Sequence, residues 1–464
     1  MAWAAGTRAP GAPRVSLLSI QTIDKYINGR AKVNRDFFGF LEDLFGPRAL
    51  DQLPLSAGTR PKPLRVLDKS RLTDDSESPG GGVMLSEKGC TERRQRMWAA
   101  LPEATEWVLV ADPRHVNYLS GFCINPLSHS AGERVLLFLE RGGEAVMLAD
   151  TFALASALAR PFVDRTVAAP WYDQRHAAGS RSQALLGALA QIRDRLSPGR
   201  GLLEEEWVPV AALDALGERP QASSASRSLL GSTLGRLRRA KHPDELAILD
   251  RCLRSAEAGV SRARQAVRPG IDEHEVFREV QAAVLADLRA QAVVYGDFRA
   301  SSAESPGPTG PPSDHVLREG ETFILDLSVV VAGYRGDIAA SIAVGRPTRG
   351  QEELLEICKG AMAAGEAVLR PGAPARDVYA AVQGAFARAG KPELFPHHAG
   401  HGLGLAHPEA PAFVPESDET LGVGDVVTLE PGAYVQGIGG VRIEHNYLIT
   451  EQGCRCLSGH SLEL

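Results

Sequence analysis

Residues 321–345 read ETFILDLSVVVAGYRGDIAASIAVG, and they put two aspartates where an apolar chain does not favour them. Asp326 lies among Phe323, Ile324, Leu325, Leu327, Val329, Val330 and Val331, a run rich enough in β-branched residues to read as a buried strand. Ala332-Gly333-Tyr334 supplies a turn, and a second strand follows through Ile338, Ile342 and Val344 carrying Asp337. A hairpin centred near Val331 and Ala332 sets Asp326 opposite Asp337. Directly opposed Cβ atoms stand about 4.5–5.5 Å apart, where like charges are destabilising. The pair calls for a shared proton or a cation, unless both aspartates are solvated turn residues.

A second stretch favours the cation. Residues 426–450, VVTLEPGAYVQGIGGVRIEHNYLIT, repeat the construction, with Glu430 and Glu444 on apolar strands either side of a glycine-rich turn at Gly437, Gly439 and Gly440. Between the two hairpins lies PHHAGHGLGLAHPEAP, with His397, His398, His401 and His407. Two pairs of inward carboxylates and a histidine-rich turn point to a dinuclear site.

Composition frames that reading. A chain of 464 residues, 44% hydrophobic and 23% charged, suggests two or three ordinary globular domains. The formal net charge of -6 offers no basic footprint for nucleic acid. Cys90, Cys123, Cys252, Cys358, Cys454 and Cys456 are too scattered for a disulfide framework and contain no C-x-x-C, as in reduced cytoplasmic proteins. No apolar run approaches the roughly 18 residues of a membrane span, and MAWAAGTRAPGAPR lacks a signal-peptide core. A cytoplasmic protein without nucleic-acid or membrane partners is expected.

Three segments are expected along the chain. Residues 1–83 are rich in Pro, Gly, Ser and Arg and read as a poorly structured extension, with one amphipathic helix around Phe37, Phe38, Phe40, Leu41, Leu44 and Phe45. The composition shift near Met84 marks it as an alternative natural start. Residues 84–230 alternate strand and helix patterns, with strands at 107–111, 135–139, 145–148 and 201–203 and the clearest helix at 182–196. His115 and His129 read there as ordinary polar loop residues, and QASSASRSLLGS, 221–232, reads as a linker. In residues 231–464, Arg268, Pro269, Gly270, Val276, Phe277, Val280 and Gln281 are echoed at one constant offset by Arg370, Pro371, Gly372, Val378, Tyr379, Val382 and Gln383. Each copy is a helix, a Pro-Gly corner and a second helix ahead of carboxylate-bearing strands, so this domain reads as a duplicated unit.

These residues resemble the M24, or pita-bread, metallopeptidases, in the branch of Xaa-Pro aminopeptidase, prolidase and creatinase. The resemblance spans about residues 90–460 and implies an α/β fold class: a creatinase-like N-terminal α/β domain followed by a duplicated α+β catalytic domain. It implies five metal ligands: Asp326, Asp337 after a Gly-Tyr turn, His401 in Gly400-His401-Gly402-Leu403-Gly404, Glu430 before Pro-Gly, and Glu444 in Val441-Arg442-Ile443-Glu444. Four carboxylates balance two divalent ions. Each like-charged pair about 4 Å apart costs roughly 4 kcal/mol at an effective dielectric near 20 if no cation intervenes. Oxygen-rich ligation with one imidazole favours manganese, with cobalt, iron or zinc able to occupy the site. Two such ions can hold a bridging hydroxide and polarise a scissile carbonyl.

The resemblance further implies that Glu430 shuttles the proton and that His397 and His407 face substrate, one residue being missing between His401 and His407. Arg442 either closes over substrate or pairs with a ligand carboxylate. The implied substrate is a peptide with N-terminal Xaa-Pro, and the implied assembly is a homodimer. One departure stands out: the family histidine about seventeen residues before the first aspartate falls near Thr309, in SPGPTGPPSDH, and His315 lies too near the strand to replace it. The family sequence after the second aspartate is also altered, to Asp337-Ile338-Ala339-Ala340-Ser341. Intact ligands argue against a creatinase-like activity, and the N-terminal domain argues against a methionine aminopeptidase. The alternative from another class is a metal-binding M24-fold interaction module without catalysis.

Overall fold

The structure, a computed structural model, describes residues 65–67, 84–123, 135–172, 179–197, 199–215 and 229–464. The expected helix at Phe37–Phe45, His129 and most of the 221–232 segment lie outside them.

The N-terminal part is a mixed sheet with helices. Its elements are β1 (Arg65–Leu67), α1 (Glu87–Ala100), β2 (Trp107–Val110), α2 (Pro113–Ser120), β3 (Leu136–Glu140), β4 (Ala145–Asp150), α3 (Thr151–Ala155), β5 (Arg165–Ala169), α4 (Arg181–Ala190), β6 (Gly201–Leu203) and α5 (Val210–Ala215). The strands order as β1-β5-β4-β3-β2-β6, with β4–β5 and β2–β6 parallel. Two expectations are corrected here. The helix expected at 182–196 stops at Ala190, and a 3-10 turn at Arg193–Arg195 follows, from which Arg195 pairs with Glu144 at 2.9 Å and with Glu140. His115 sits not in a loop but in α2, whose Asp112 cap and Pro113 at the first turn are ordinary helix-start chemistry. It is buried, and its Nδ1 pairs with Glu204.

Helix α6 (Leu229–Arg239) leads into the second part, so the end of the expected linker is helical. There α7 (Pro243–Ala266) and α8 (Glu273–Leu288) cover the antiparallel sheet β7 (Val293–Ser301), β8 (Thr322–Val331) and β9 (Tyr334–Ala343). Next come α9 (Arg349–Glu366), α10 (Ala375–Arg388), β10 (His401–Gly402), β11 (Glu409–Ala412), β12 (Val426–Leu429), β13 (Gly432–Val435), β14 (Gly439–Arg442), β15 (His445–Thr450) and β16 (Gly453–Cys456). The five-stranded sheet runs β11-β10-β12-β15-β16, and β13–β14 form a separate ribbon.

The duplication seen in the sequence recurs in the backbone. Gly270 N donates to Leu317 O and Leu317 N to Ile271 O; the second copy repeats this with Gly372 to Leu421 and Leu421 to Ala373, each at 2.8–2.9 Å. Packing repeats as well. A Cβ at Gly259 of α7 would meet Val280 and Leu327, and one at Gly365 of α9 would meet Val382 and Leu429, each within 3.1 Å. Only a hydrogen lets each first helix approach its partner helix and strand so closely.

Buried side chains of α7–α8 and β7–β9 join one apolar core with α1 and α2. A second core lies between α9–α10 and the five-stranded sheet. At the seam between the N-terminal part and α7, Arg93 is fully buried and pairs with Asp244 at 2.7 Å, while Tyr118 O accepts from its Nε. No described helix is long and apolar enough to cross a membrane.

Candidate functional site

The hairpin that carries the two aspartates has a different register from the expected one. Val331 pairs with Tyr334, so the turn is Ala332-Gly333, both with positive φ (49° and 84°), as a two-residue hairpin turn of right-handed strand twist requires. Asp326 therefore faces Ala339, and Asp337 faces Ser328. The expected direct opposition of Asp326 and Asp337 is corrected to a diagonal one. Because the shift moves the pairing by an even number of residues, both carboxylates stay on the same face. The residue directly opposite Asp326 is Asp297, on β7.

The second carboxylate pair is also built differently. Glu430 follows the end of β12, Glu444 precedes β15, and the glycine-rich turn belongs to the intervening β13–β14 ribbon rather than to their own strands. The last β12–β15 pair is Leu429 with His445, which leaves Glu430 and Glu444 together just beyond it. Glu430 N donates to Ala399 O at 3.1 Å, and Glu444 N to Ala339 O at 3.0 Å, which ties both glutamates to neighbouring backbone and draws Glu444 toward β9.

Ligand atoms of Asp326, Asp337 and Glu444, of His401, Glu430 and Glu444, and of Asp337, His401 and His407 each come within 4.8 Å of one another. The three groups share Glu444, His401 and Asp337, so they form one contiguous cluster. His401 Nδ1 lies 2.9 Å from Gly402 O, which can only accept; the proton is on Nδ1 and the Nε2 lone pair faces inward, 3.5 Å from Glu430 Oε1. His407 Nε2 is 2.8 Å from Asp337 Oδ2, and Ser328 Oγ donates to Asp337 Oδ1 at 2.8 Å. Asn446 Nδ2 donates to the carbonyl of Asp337.

The electrostatics fit a cation. Burial, with further push from Asp337 and Asp297 against the pull of Arg442, raises Asp326 to about 7. Burial and then the neighbouring carboxylates hold Glu430 and Glu444 well above the usual range. Glu444 Oε1 is buried without a hydrogen-bond partner. Asp337 is shifted down, since His407 and His401 outweigh its burial. Burial lowers His401 to about 4, so it stays a neutral donor of its lone pair. Crowded oxygen ligands with one or two imidazoles suit hard or borderline divalent ions.

Arg442, buried, forms ion pairs with Asp326 (Nε to Oδ2, 3.0 Å) and Asp297, and its Nη1 donates to Tyr434 Oη at 3.2 Å. Ser341, the last residue of the altered stretch after Asp337, bonds both backbone groups of Arg442 through Oγ at 2.9 Å. His397 Nδ1 donates to His398 O at 2.8 Å, so its Nε2 accepts from Tyr434 Oη at 3.4 Å. Burial lowers His397 to about 4.

Several neighbours escaped sequence reasoning. Asp297 has no alternating pattern around it, and its Oδ1 also accepts from Gly310 N at 2.6 Å, next to Thr309. His398, one of the four histidines marked in the sequence but given no role there, places its Nδ1 3.5 Å from Glu430 Oε1. Glu409, buried behind the His407 loop, accepts from Ala406 N at 3.0 Å and pairs with Arg238 at 2.9 Å and Lys241 at 3.3 Å. The pairing of Glu409 with two cations far upstream left no local signal. His315 is held by Glu321 at 3.0 Å and does not stand in for the histidine absent near Thr309.

Comparison with known proteins agrees with this architecture. The family described as Metallopeptidase family M24 matches residues 247–451, and the Creatinase/Prolidase N-terminal domain matches residues 93–229. An uncharacterized peptidase of Bacillus subtilis, YqhT, is 32% identical over 245 residues, covering 52% of this chain and 68% of that relative. The uncharacterized peptidase SSP1059 of Staphylococcus saprophyticus is 27% identical over 353 residues, covering 76% and 94%. In fold, the chain is similar to an Xaa-Pro dipeptidase from Bacillus anthracis (TM-score 0.63, 24% identity, 81% of this chain and 99% of that one). It is also similar to an X-Pro aminopeptidase from Thermotoga maritima (TM-score 0.65, 19% identity, 80% and 98%).

Proposed function

This chain belongs to metallopeptidase family M24, and from that premise we propose that it hydrolyses the peptide bond between an N-terminal residue and proline, as an Xaa-Pro aminopeptidase or dipeptidase. The observation that carries the proposal is the contiguous cluster of Asp326, Asp337, His401, Glu430 and Glu444. These five residues would hold two divalent cations, manganese first among them. When bound, the cations supply an activated water and a Lewis acid for the scissile carbonyl.

The remaining work falls to side chains of this chain. Glu430 is the proton shuttle, held by Thr428 Oγ1 donating to its Oε1 at 3.3 Å. His407, anchored on Asp337, and His397, neutral at physiological pH, face the substrate. For His397 to donate to substrate through Nε2, the ring must change tautomer, giving up its Nδ1–H bond to His398 O as well as the bond from Tyr434. Arg442 acts on Asp326 rather than on substrate, since both of its edges are occupied by Asp297, Asp326 and Tyr434. We further assign residues 84–230 to the N-terminal domain, whose sheet is joined at its edge by β1 (Arg65–Leu67) from the preceding segment, and 231–464 to the catalytic one, in a cytoplasmic homodimer.

The test is product detection by mass spectrometry after manganese-loaded protein meets Xaa-Pro dipeptides, Xaa-Pro-Yaa peptides and Met-Ala peptides. Release of the residue before proline supports the proposal, and substrate length separates dipeptidase from aminopeptidase. A second reading, a metal-binding interaction module, draws on the absence of a histidine near Thr309 and the engagement of His315 by Glu321. Silence across the panel with both cations bound would favour it.

A further inference from the structure

The hairpin that carries Asp326 and Asp337 ends against the N-terminal part of the chain, at a junction to which the peptidase reading gives no task. Its tip is the Ala332-Gly333 turn, with φ of 49° and 84°. Gly333 takes that conformation freely, whereas the Cβ of Ala332 disfavours it. Ala332 is also buried, so its carbonyl needs a donor from within the protein. Asn117 of α2 supplies one: its Nδ2 donates to Ala332 O at 2.8 Å, from a side chain that is itself buried.

The same amide stands where both ligand-bearing segments meet. A Cβ at Gly333 would lie 3.1 Å from Asn117 Nδ2 and 3.2 Å from Leu405 Cδ2. Leu405 belongs to the loop between His401 and His407, and Arg335 N donates to Gly404 O of that loop at 3.1 Å. The tip is therefore wedged between α2 and the histidine loop. Tyr334, the next residue, is fully buried, and its Oη donates to Glu245 at 2.9 Å, while Arg93 of α1 stands 3.7 Å from the same carboxylate group. From Val331–Tyr334 back to Thr322–Ala343 the two strands pair without a break, so a tilt of the tip carries Asp326 and Asp337 with it.

We infer that Asn117 is a positioning residue for the metal cluster: from the N-terminal part it holds a strained turn of the catalytic part, and through that turn the spacing of Asp326 and Asp337 against His401 and His407. The inference rests on the reading of those residues as metal ligands. It gives the N-terminal part a task in metal binding that needs no contact between that part and the metal or the substrate.

The test is the manganese affinity of the full chain by calorimetric titration, with the visible spectrum of the cobalt-loaded protein as a report on coordination geometry. Asn117→Leu keeps the side-chain volume and removes the donor. It should weaken manganese binding by about 10-fold, the lower end of what losing an orienting partner costs, and shift the cobalt bands. Adding Ala332→Gly should restore most of that affinity, because glycine holds the turn without the strain that the amide offsets. Tyr118→Phe removes another bond at the same seam, from Tyr118 Oη to Leu237 O at 3.1 Å, and should leave affinity and spectrum as in wild type. Unchanged affinity in Asn117→Leu, no rescue by Ala332→Gly, or an equal loss in Tyr118→Phe would overturn the inference while leaving the metallopeptidase reading in place. A wild-type chain that binds no manganese would sink both. Hydrogen exchange of the metal-free wild type gives a check that does not depend on variant folding: amides of Tyr334 and Arg335 as protected as those of α2 support the lock, and freely exchanging ones contradict it.

Discussion

Asp297 stands directly opposite Asp326 across the β7–β8 ladder, and Arg442 is shared between them. Opposed like charges destabilise a sheet, so the guanidinium is what makes this pairing tolerable before any cation arrives. Removing one partner of a buried ion pair typically costs about 3–5 kcal/mol. Arg442→Met should lower the unfolding free energy of the metal-free protein by that order, and Asp297→Asn in the same background should recover part of it. Denaturant unfolding of the single and double variants measures both. A neutral Arg442→Met would contradict the role given to Arg442.

Metal removal should make stability depend on pH with a definite sign. Asp326 rises to about 7 in the folded chain, and Glu430 and Glu444 are also raised, chiefly by burial. Unfolded carboxylates titrate near 4. Between those values these carboxylates hold more protons in the folded state, so their contribution to stability falls as pH rises. Histidines that burial lowers to about 4, such as His397 and His401, act in the opposite sense over that range, so the carboxylate effect is read as a difference: chelated wild type should lose stability relative to chelated Asp326→Asn between about pH 4 and pH 7. Protein loaded with divalent ion, in which the cation replaces those protons, should not show that slope in calorimetry.

Glu409 braces the loop that presents His407. Glu409→Ala removes its bond to Ala406 N and leaves Arg238 and Lys241 buried without their carboxylate. Losing a residue that orients a ligand or catalytic side chain commonly costs about 10–100-fold in affinity or activity. The expected result is a fall of that size in kcat/KM on Xaa-Pro peptides, with manganese affinity reduced less than in Asp337→Ala. Steady-state kinetics beside calorimetric metal titration separate the two effects.

At the seam between the two parts, Asp244 is pulled down to about 2, because bonds from Arg93 and Ser86 outweigh its burial. A depressed carboxylate contributes stability above its unfolded pKa and loses it as pH falls through the folded one. Asp244→Asn should cost about 2 kcal/mol at neutral pH, and the difference from wild type should shrink between about pH 4 and pH 2. Paired denaturant titrations across that range provide the measurement.

The parts of this molecule legible in the sequence are those written locally. Apolar alternation around Asp326 and Asp337 marked the strands, and the Arg-Pro-Gly corners marked the duplication that the backbone bonds of Gly270 and Gly372 repeat. The hairpin register was not legible, because Ala332-Gly333 and Val331-Ala332 differ as turns only in which residues take positive φ. Nor were the partners of Arg442 or Glu409, since Asp297, Arg238 and Lys241 meet them only through tertiary packing. His115 reads as a loop residue because the short helix that holds it opens on Asp112-Pro113, where cap and turn chemistry look alike.

The most direct test of the account is the number of manganese ions held per chain, counted by native mass spectrometry on wild type and on Asp337→Ala. Two ions in wild type, and fewer than two in the variant at equal free manganese, are the result expected from the cluster of Asp326, Asp337, His401, Glu430 and Glu444. A wild-type chain that holds none or one, or a variant that still holds two, would contradict a dinuclear centre built on these residues.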